Sequence, residues 1–194
     1  MHGLRCDPAL LGWTRLLDEW VVGLIRGPRD AASDPVCWGD PAETVGTLAD
    51  AATRVRAFAY RENGTEPSRL RPDGVLQVEL QGQSYCAAVD QRWPSSAEEA
   101  IASAPSWLES ALRRARTAAG TGEVAVAAVF ATPRCKPASL RPDRAELAEA
   151  FIAASRVIRC SGCAFSFPHG RQLAKYRHGS AEYPGALLLV QADG

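Results

Sequence analysis

A chain of 194 residues with 22 basic and 22 acidic side chains, 46% hydrophobic residues and six cysteines can bury a core without disulfides or metal. Its ordinary apolar content excludes a collagen-like, disordered or cysteine-stapled class. Zero net charge gives no whole-surface attraction to nucleic acid or anionic lipid.

No apolar run approaches the roughly 18 residues of a membrane helix, and no basic-then-apolar leader opens the chain. The expectation is a single domain over 1–194 in an aqueous, reducing, cytoplasmic setting, with no membrane contact. Alanine is abundant, and the basic residues are nearly all Arg, with only Lys136 and Lys175 as lysines. A GC-rich genome produces both biases, so the Arg count carries no argument about phosphate.

In chain order, the first predicted element is a helix from Asp7 to about Arg26. Asp7 is placed to cap it, Pro8 suits its first position, and Gly27-Pro28 stops it. Leu10, Trp13, Leu17, Trp20 and Leu24 follow helical spacing, and Leu11, Leu16, Val21 and Ile25 widen the apolar face. Such a helix is either wedged between layers or covered by a partner. A second helix starts at Asp40-Pro41 and ends near Asn63-Gly64.

Residues 1–63 therefore read as a helical pair and 74–194 as a mixed α/β portion. Alternation over Val75–Leu80, then Gln81-Gly82-Gln83, then Tyr85–Val89 predicts a β-hairpin. Ser96-Ala97-Glu98-Glu99 opens a helix that Pro105 should kink or restart. Val124–Phe130 and Ala186–Val190 are continuous apolar runs, expected to be central strands covered on both faces. A helix over 142–158 and a short strand from Cys163 to Phe167 lie between them. The expected fold is α/β, with α+β as its alternative: about five strands in a mixed sheet, with a hairpin and crossover helices.

Two positions bear on zinc chemistry. The helix after the hairpin begins Ser96-Ala97-Glu98, and the third strand is followed by Pro133-Arg134-Cys135-Lys136-Pro137-Ala138. From the hairpin onward the element order resembles that of the cytidine-deaminase-like superfamily. In that superfamily His/Cys-x-Glu and Pro-Cys-x-x-Cys at these two places hold a catalytic zinc and its proton shuttle. The resemblance gives Glu98 the shuttle's position, but Ser96 replaces a ligand and Cys135 stands alone and out of step. One cysteine does not supply the three protein ligands of a catalytic zinc.

The better-spaced pair is Cys160-Ser161-Gly162-Cys163, where a two-residue gap lets two sulfurs face one point and Gly162 permits a knuckle turn. Structural zinc is the cofactor this pair suggests, with His169, His178 and Cys135 as further ligands; otherwise no cofactor is expected. Redox or nucleophilic use of either thiol is another reading. Two small thiols packed at a helix-to-strand junction is the plain one. All six cysteines are expected to be free of disulfides.

The segment His169–His178, HGRQLAKYRH, gathers Arg171, Lys175 and Arg177 around Tyr176. It suits a phosphate-containing ligand, or simply a solvated loop; nucleic acid is not expected.

These observations lead to a small binding protein. It would engage a protein partner, or itself as a homo-oligomer, through Trp13, Trp20, Val21 and Ile25 of the N-terminal helices, because tryptophan-rich apolar surface concentrates interface energy. The alternative is a small enzyme or nucleotide-binding domain around Cys160, Cys163, His169 and Arg171.

Overall fold

The computed structural model describes residues 1–26, 41–63, 69–70, 74–134, 144–167, 177–178, 181–182 and 184–193. Its centre is a mixed sheet. The strands are β1 (His2–Cys6), β2 (Arg69–Leu70), β3 (Val75–Leu80), β4 (Gln83–Arg92), β5 (Val124–Ala131), β6 (Gly162–Ser166) and β9 (Ala186–Ala192), in the order β1-β6-β9-β5-β4-β3-β2. Only β4 and β5 run parallel; every other neighbour in this sheet is antiparallel. Two short strands, β7 (Arg177–His178) and β8 (Ala181–Glu182), form a separate pair.

The α/β class, the hairpin and the shared sheet of the late strands are as expected. Both continuous apolar runs are central, with β5 between β4 and β9, and β9 between β6 and β5. Their alternate side chains face opposite cores, which is why neither run shows a polar period. Val126, Ala128 and Phe130 lie in one core, while Ala125, Ala127, Val129 and Ala131 lie in the other. The hairpin turns at Gln81 and Gly82, with φ of 54° and 77°. Two successive positive values match the right-handed twist of paired strands.

Helices α1 (Leu11–Arg26) and α2 (Pro41–Asn63) cover one face, and α3 (Ala97–Ala118) and α4 (Arg144–Val157) the other. The α3 face is built on alanine. Ala100, Ala104, Ala111 and Ala115 are fully buried against a sheet face that includes Ala125 and Ala127. Small side chains on both surfaces let the helix sit close.

Ser96 caps α3, accepting from the Glu99 amide at 3.2 Å. The Glu99 carboxylate reaches one residue further back than a reciprocal capping box requires, accepting from the Ser95 amide at 2.7 Å and the Ser95 hydroxyl at 2.6 Å.

Three expectations are corrected. The first helix does not begin at Asp7: residues 2–6 form β1, Pro8–Leu10 a 3-10 turn, and α1 starts at Leu11. The segment expected to be only a helical pair thus supplies one edge of the sheet. Pro105 does not restart α3, which is a single helix through it. Its ring lies on the exposed side, away from the buried Ala104 and Leu108.

The third correction concerns α1. Trp13 and Trp20 have no exposed surface and Val21 only 6%, so they are core residues and not a docking surface. Trp13 packs edge-on against Tyr85 with ring centres 6.1 Å apart. Trp20 packs against Phe130 at 5.7 Å and donates to the Thr47 hydroxyl at 2.9 Å. The broad apolar circumference of α1 is used up by the sheet on one side and α2 on another. Of the four residues expected at an interface, only Ile25 is exposed, at 54%.

Candidate functional site

The fold brings Cys160 and Cys163 together and adds a residue that the sequence did not single out. Helix α4 delivers the chain through Ile158, whose amide still donates to the Ala154 carbonyl at 3.0 Å. The chain then turns at Cys160 and enters β6. The edge strand β1 runs antiparallel beside β6 with Arg5 directly opposite Cys163 and Cys6 opposite Gly162.

Gly162 is a strand residue without positive φ. The glycine therefore makes no knuckle turn; it makes room. A Cβ there would meet the Cys6 sulfur at 3.3 Å and the Arg5 carbonyl at 3.4 Å. Ser161 pins the loop from both sides. Its carbonyl accepts from the Asp7 amide at 2.6 Å, and its hydroxyl from the Ala192 amide at 3.2 Å.

Arg5 is the cation of this site. Its Nη2 donates to the Ile158 carbonyl at 3.2 Å and to the Ser155 carbonyl at 3.4 Å, and lies 3.6 Å from the Cys160 sulfur. A guanidinium on the last carbonyls of α4 meets the negative end of the helix dipole. The thiols lie in the same cluster. The Cys160 sulfur donates to the Gly162 carbonyl at 3.2 Å, and the Cys163 sulfur to the Ser155 carbonyl at 3.6 Å.

The two thiols titrate as a linked pair. Interaction with Cys160, and then the charge of Arg5, lower the titration of Cys163 to about 7 against the opposing effect of burial. Interaction with Cys163, and burial, push Cys160 well above the usual thiol range. As a pair they give up a first proton readily and hold the second tightly. Cys163 is 2% exposed, while Cys160 is partly open to solvent. Cys6, on the opposite sheet face, is raised by burial.

Among the described residues no group of three or more His, Cys, Asp or Glu side chains is placed to hold a metal ion. The expected helpers Cys135 and His169 lie outside the described residues, as do Cys37, Arg171 and Lys175. Arg177 is in β7, opposite Glu182 of β8. Cys6, Cys86, Cys160 and Cys163 are all free thiols.

At the position of the deaminase zinc ligand, Ser96 is a helix cap. The Glu98 carboxylate bonds its own amide and the Ser96 hydroxyl, which holds it below the usual carboxylate range. A proton shuttle needs the opposite displacement, towards neutrality.

At the end of the sheet that carries Ser161, opposite Ser96, lies a half-open cavity of about 540 Å³, between the start of α1, the β3–β4 turn and the end of β9. Ser161 contributes to its wall, but neither Cys160 nor Cys163 does. No helix among the described residues is long and apolar enough to cross a membrane. Comparison with protein families, curated proteins and solved structures finds no match for this chain.

Proposed function

We propose that this protein carries out thiol–disulfide exchange at Cys160 and Cys163. The single observation behind this reading is a pair of cysteines spaced by two residues, with Arg5 3.6 Å from the Cys160 sulfur and opposite Cys163 in the strand register. It develops the expected alternative of a site near Cys160 and Cys163. The other reading, a partner docked on the N-terminal helices, loses its motive once Trp13, Trp20 and Val21 are core residues.

Cys160 is the entering nucleophile, because it is the sulfur that solvent reaches. The singly deprotonated pair carries its charge on Cys163, so attack from Cys160 requires the proton held there to pass to Cys163, which moves the thiolate to the accessible sulfur beside Arg5. That thiolate attacks one sulfur of a low-molecular-weight disulfide, forms a mixed disulfide and expels one thiolate. Cys163 then attacks the Cys160 sulfur, expels the second thiolate and closes the Cys160–Cys163 bond. The two protons of the protein thiols end on the two thiols released. The protein is oxidised by two electrons and the small disulfide is reduced.

Equilibration of the whole chain in glutathione buffers of graded potential, with alkylation and peptide mass mapping, tests this. The expected product is an intramolecular Cys160–Cys163 disulfide, absent in C160S and C163S. A pair that stays reduced across the range, or stops at mixed disulfides in the unsubstituted chain, overturns the reading.

A further inference from the structure

We infer that the small disulfide exchanged at Cys160 is an anionic one, carrying carboxylates close to its sulfurs and drawn to the site by Arg5, Arg156 and Arg159. This rests on the thiol–disulfide reading and names the class of substrate that site would take.

The fold gathers cations around the accessible sulfur. Arg159 immediately precedes Cys160, and Arg156 lies in the last turn of α4, four residues before it. Arg5 reaches the same turn from β1, with its Nη2 3.6 Å from the Cys160 sulfur. All three residues are exposed. Among the described residues none of the three pairs with a carboxylate. Arg5 is held through Nη2 alone, on the Ser155 and Ile158 carbonyls. The hydrogens of its Nε and Nη1 are unused among the described residues, so most donors of this guanidinium are left for a ligand.

The acids around the turn do not cancel this charge. Asp193 follows Ala192, whose amide bonds Ser161, but it is spent on Arg116 by two bonds of 2.7 Å and 2.9 Å. Asp7, whose amide bonds the Ser161 carbonyl, is one carboxylate against three guanidinium groups. Glu146 and Glu149 lie two turns or more before Arg156 along α4.

The exchange reaction is sensitive to such a field. A thiolate approaching an S–S bond in water is repelled by carboxylates beside that bond, which slows the attack. Beside Cys160 the balance is reversed: one thiolate among three guanidinium groups leaves a net positive potential, which concentrates an anionic disulfide and raises its rate of encounter. Guanidinium also matches the planar carboxylate better than a point charge does. A cationic disulfide is repelled, and a neutral one gains nothing before contact. The bonds made and broken are those of the exchange above, and the carboxylates leave on the two thiols released.

The test is the rate of oxidation of the reduced whole chain by three small disulfides: 3,3′-dithiodipropionate (anionic), 2-hydroxyethyl disulfide (neutral) and cystamine (cationic). Each rate, read by alkylation and peptide mass mapping, is divided by the same disulfide's rate with 2-mercaptoethanol. At low salt the anionic disulfide should lead the cationic one by about tenfold, and 0.5 M salt should shrink that lead to about twofold. The anionic-to-cationic ratio should fall severalfold in the R156Q/R159Q double variant and persist in R159K, which keeps the charge. These are exposed positions whose replacement should leave the fold intact, and the salt series on the unsubstituted chain needs no variant. Equal normalised rates, a lead for cystamine, or an undiminished ratio in R156Q/R159Q overturns the inference while the thiol reading stands, provided the neutral disulfide closes the Cys160–Cys163 bond. Oxidation by none of the three overturns both.

Discussion

Arg5 and Cys160 are 155 positions apart in the chain and meet at 3.6 Å. The contact joins the edge strand β1 to the turn after α4, and two consequences can be measured. Replacing Arg5 with Met keeps the aliphatic stem and removes the charge. The pair's first proton should then leave at a higher pH, moving from about 7 towards the ordinary thiol value near 8.5. The check is the pH profile of alkylation of Cys160 and Cys163 by iodoacetamide.

The sign for stability follows from the same displacement. Cys163 titrates lower folded than unfolded, so its stabilisation is present above the unfolded value and is lost as pH falls through about 7. Cys160 is displaced upward, so its contribution falls away once pH rises past the unfolded value. Folding stability in denaturant should therefore rise from neutral pH towards the ordinary thiol range and fall beyond it, with a flatter profile in R5M. Loss of the cation from the α4 terminus should cost the exposed-site value of about 0.3–1 kcal/mol, near the lower end because Arg5 is mostly solvated.

Val21 and Ile25 sit one turn apart on α1 and separate cleanly. Val21 is 6% exposed and Ile25 54%. I25E should change stability by no more than about 0.5 kcal/mol. V21E buries a carboxylate among Leu17, Leu48 and their neighbours, and should cost several kcal/mol or abolish folding. Circular dichroism with urea titration of the two variants distinguishes them. Equal behaviour of the two would contradict the placement of α1.

Pro105 lies inside α3 and points to solvent. It supplies no amide for the helix ladder, and a mid-helix proline is about 3 kcal/mol less favourable than alanine in model helices. P105A should stabilise the protein by about 1–3 kcal/mol without altering the sheet, read as an increase in the urea midpoint at unchanged slope.

How far the sequence foretold the fold differs from element to element. Val124–Phe130 and Ala186–Val190 were readable because a strand covered on both faces has no polar residue to place. Ser96 was readable because a cap is a local event. Strand β1 was hidden for the opposite reason: it is an edge, and His2, Leu4 and Arg5 are exposed along it, so no alternation of apolar residues marks it. Cys160 and Cys163 could be paired by spacing alone. Arg5 could not, since its place opposite Cys163 is set by the β1–β6 register, and a register across the whole chain has no short-range signature. Trp13 and Trp20 gave the right face of α1 but the wrong reason for its breadth, because the second cover is α2, a neighbour whose position is also non-local.

The place of β9 in the sheet has a kinetic consequence. It is the last strand in the chain, yet it lies between β6 and β5. During synthesis, which delivers the chain from its N-terminal end at about 5–20 residues per second, β3, β4 and β5 can assemble early as one block. The β1–β6 pair can form only as a second, separate block. No strand pairing joins the two until β9 arrives and closes both seams at once. Refolding should accordingly be slow for a domain of this size, limited by a late step that spans long sequence separations, and until that step each block shows an open strand edge to other chains.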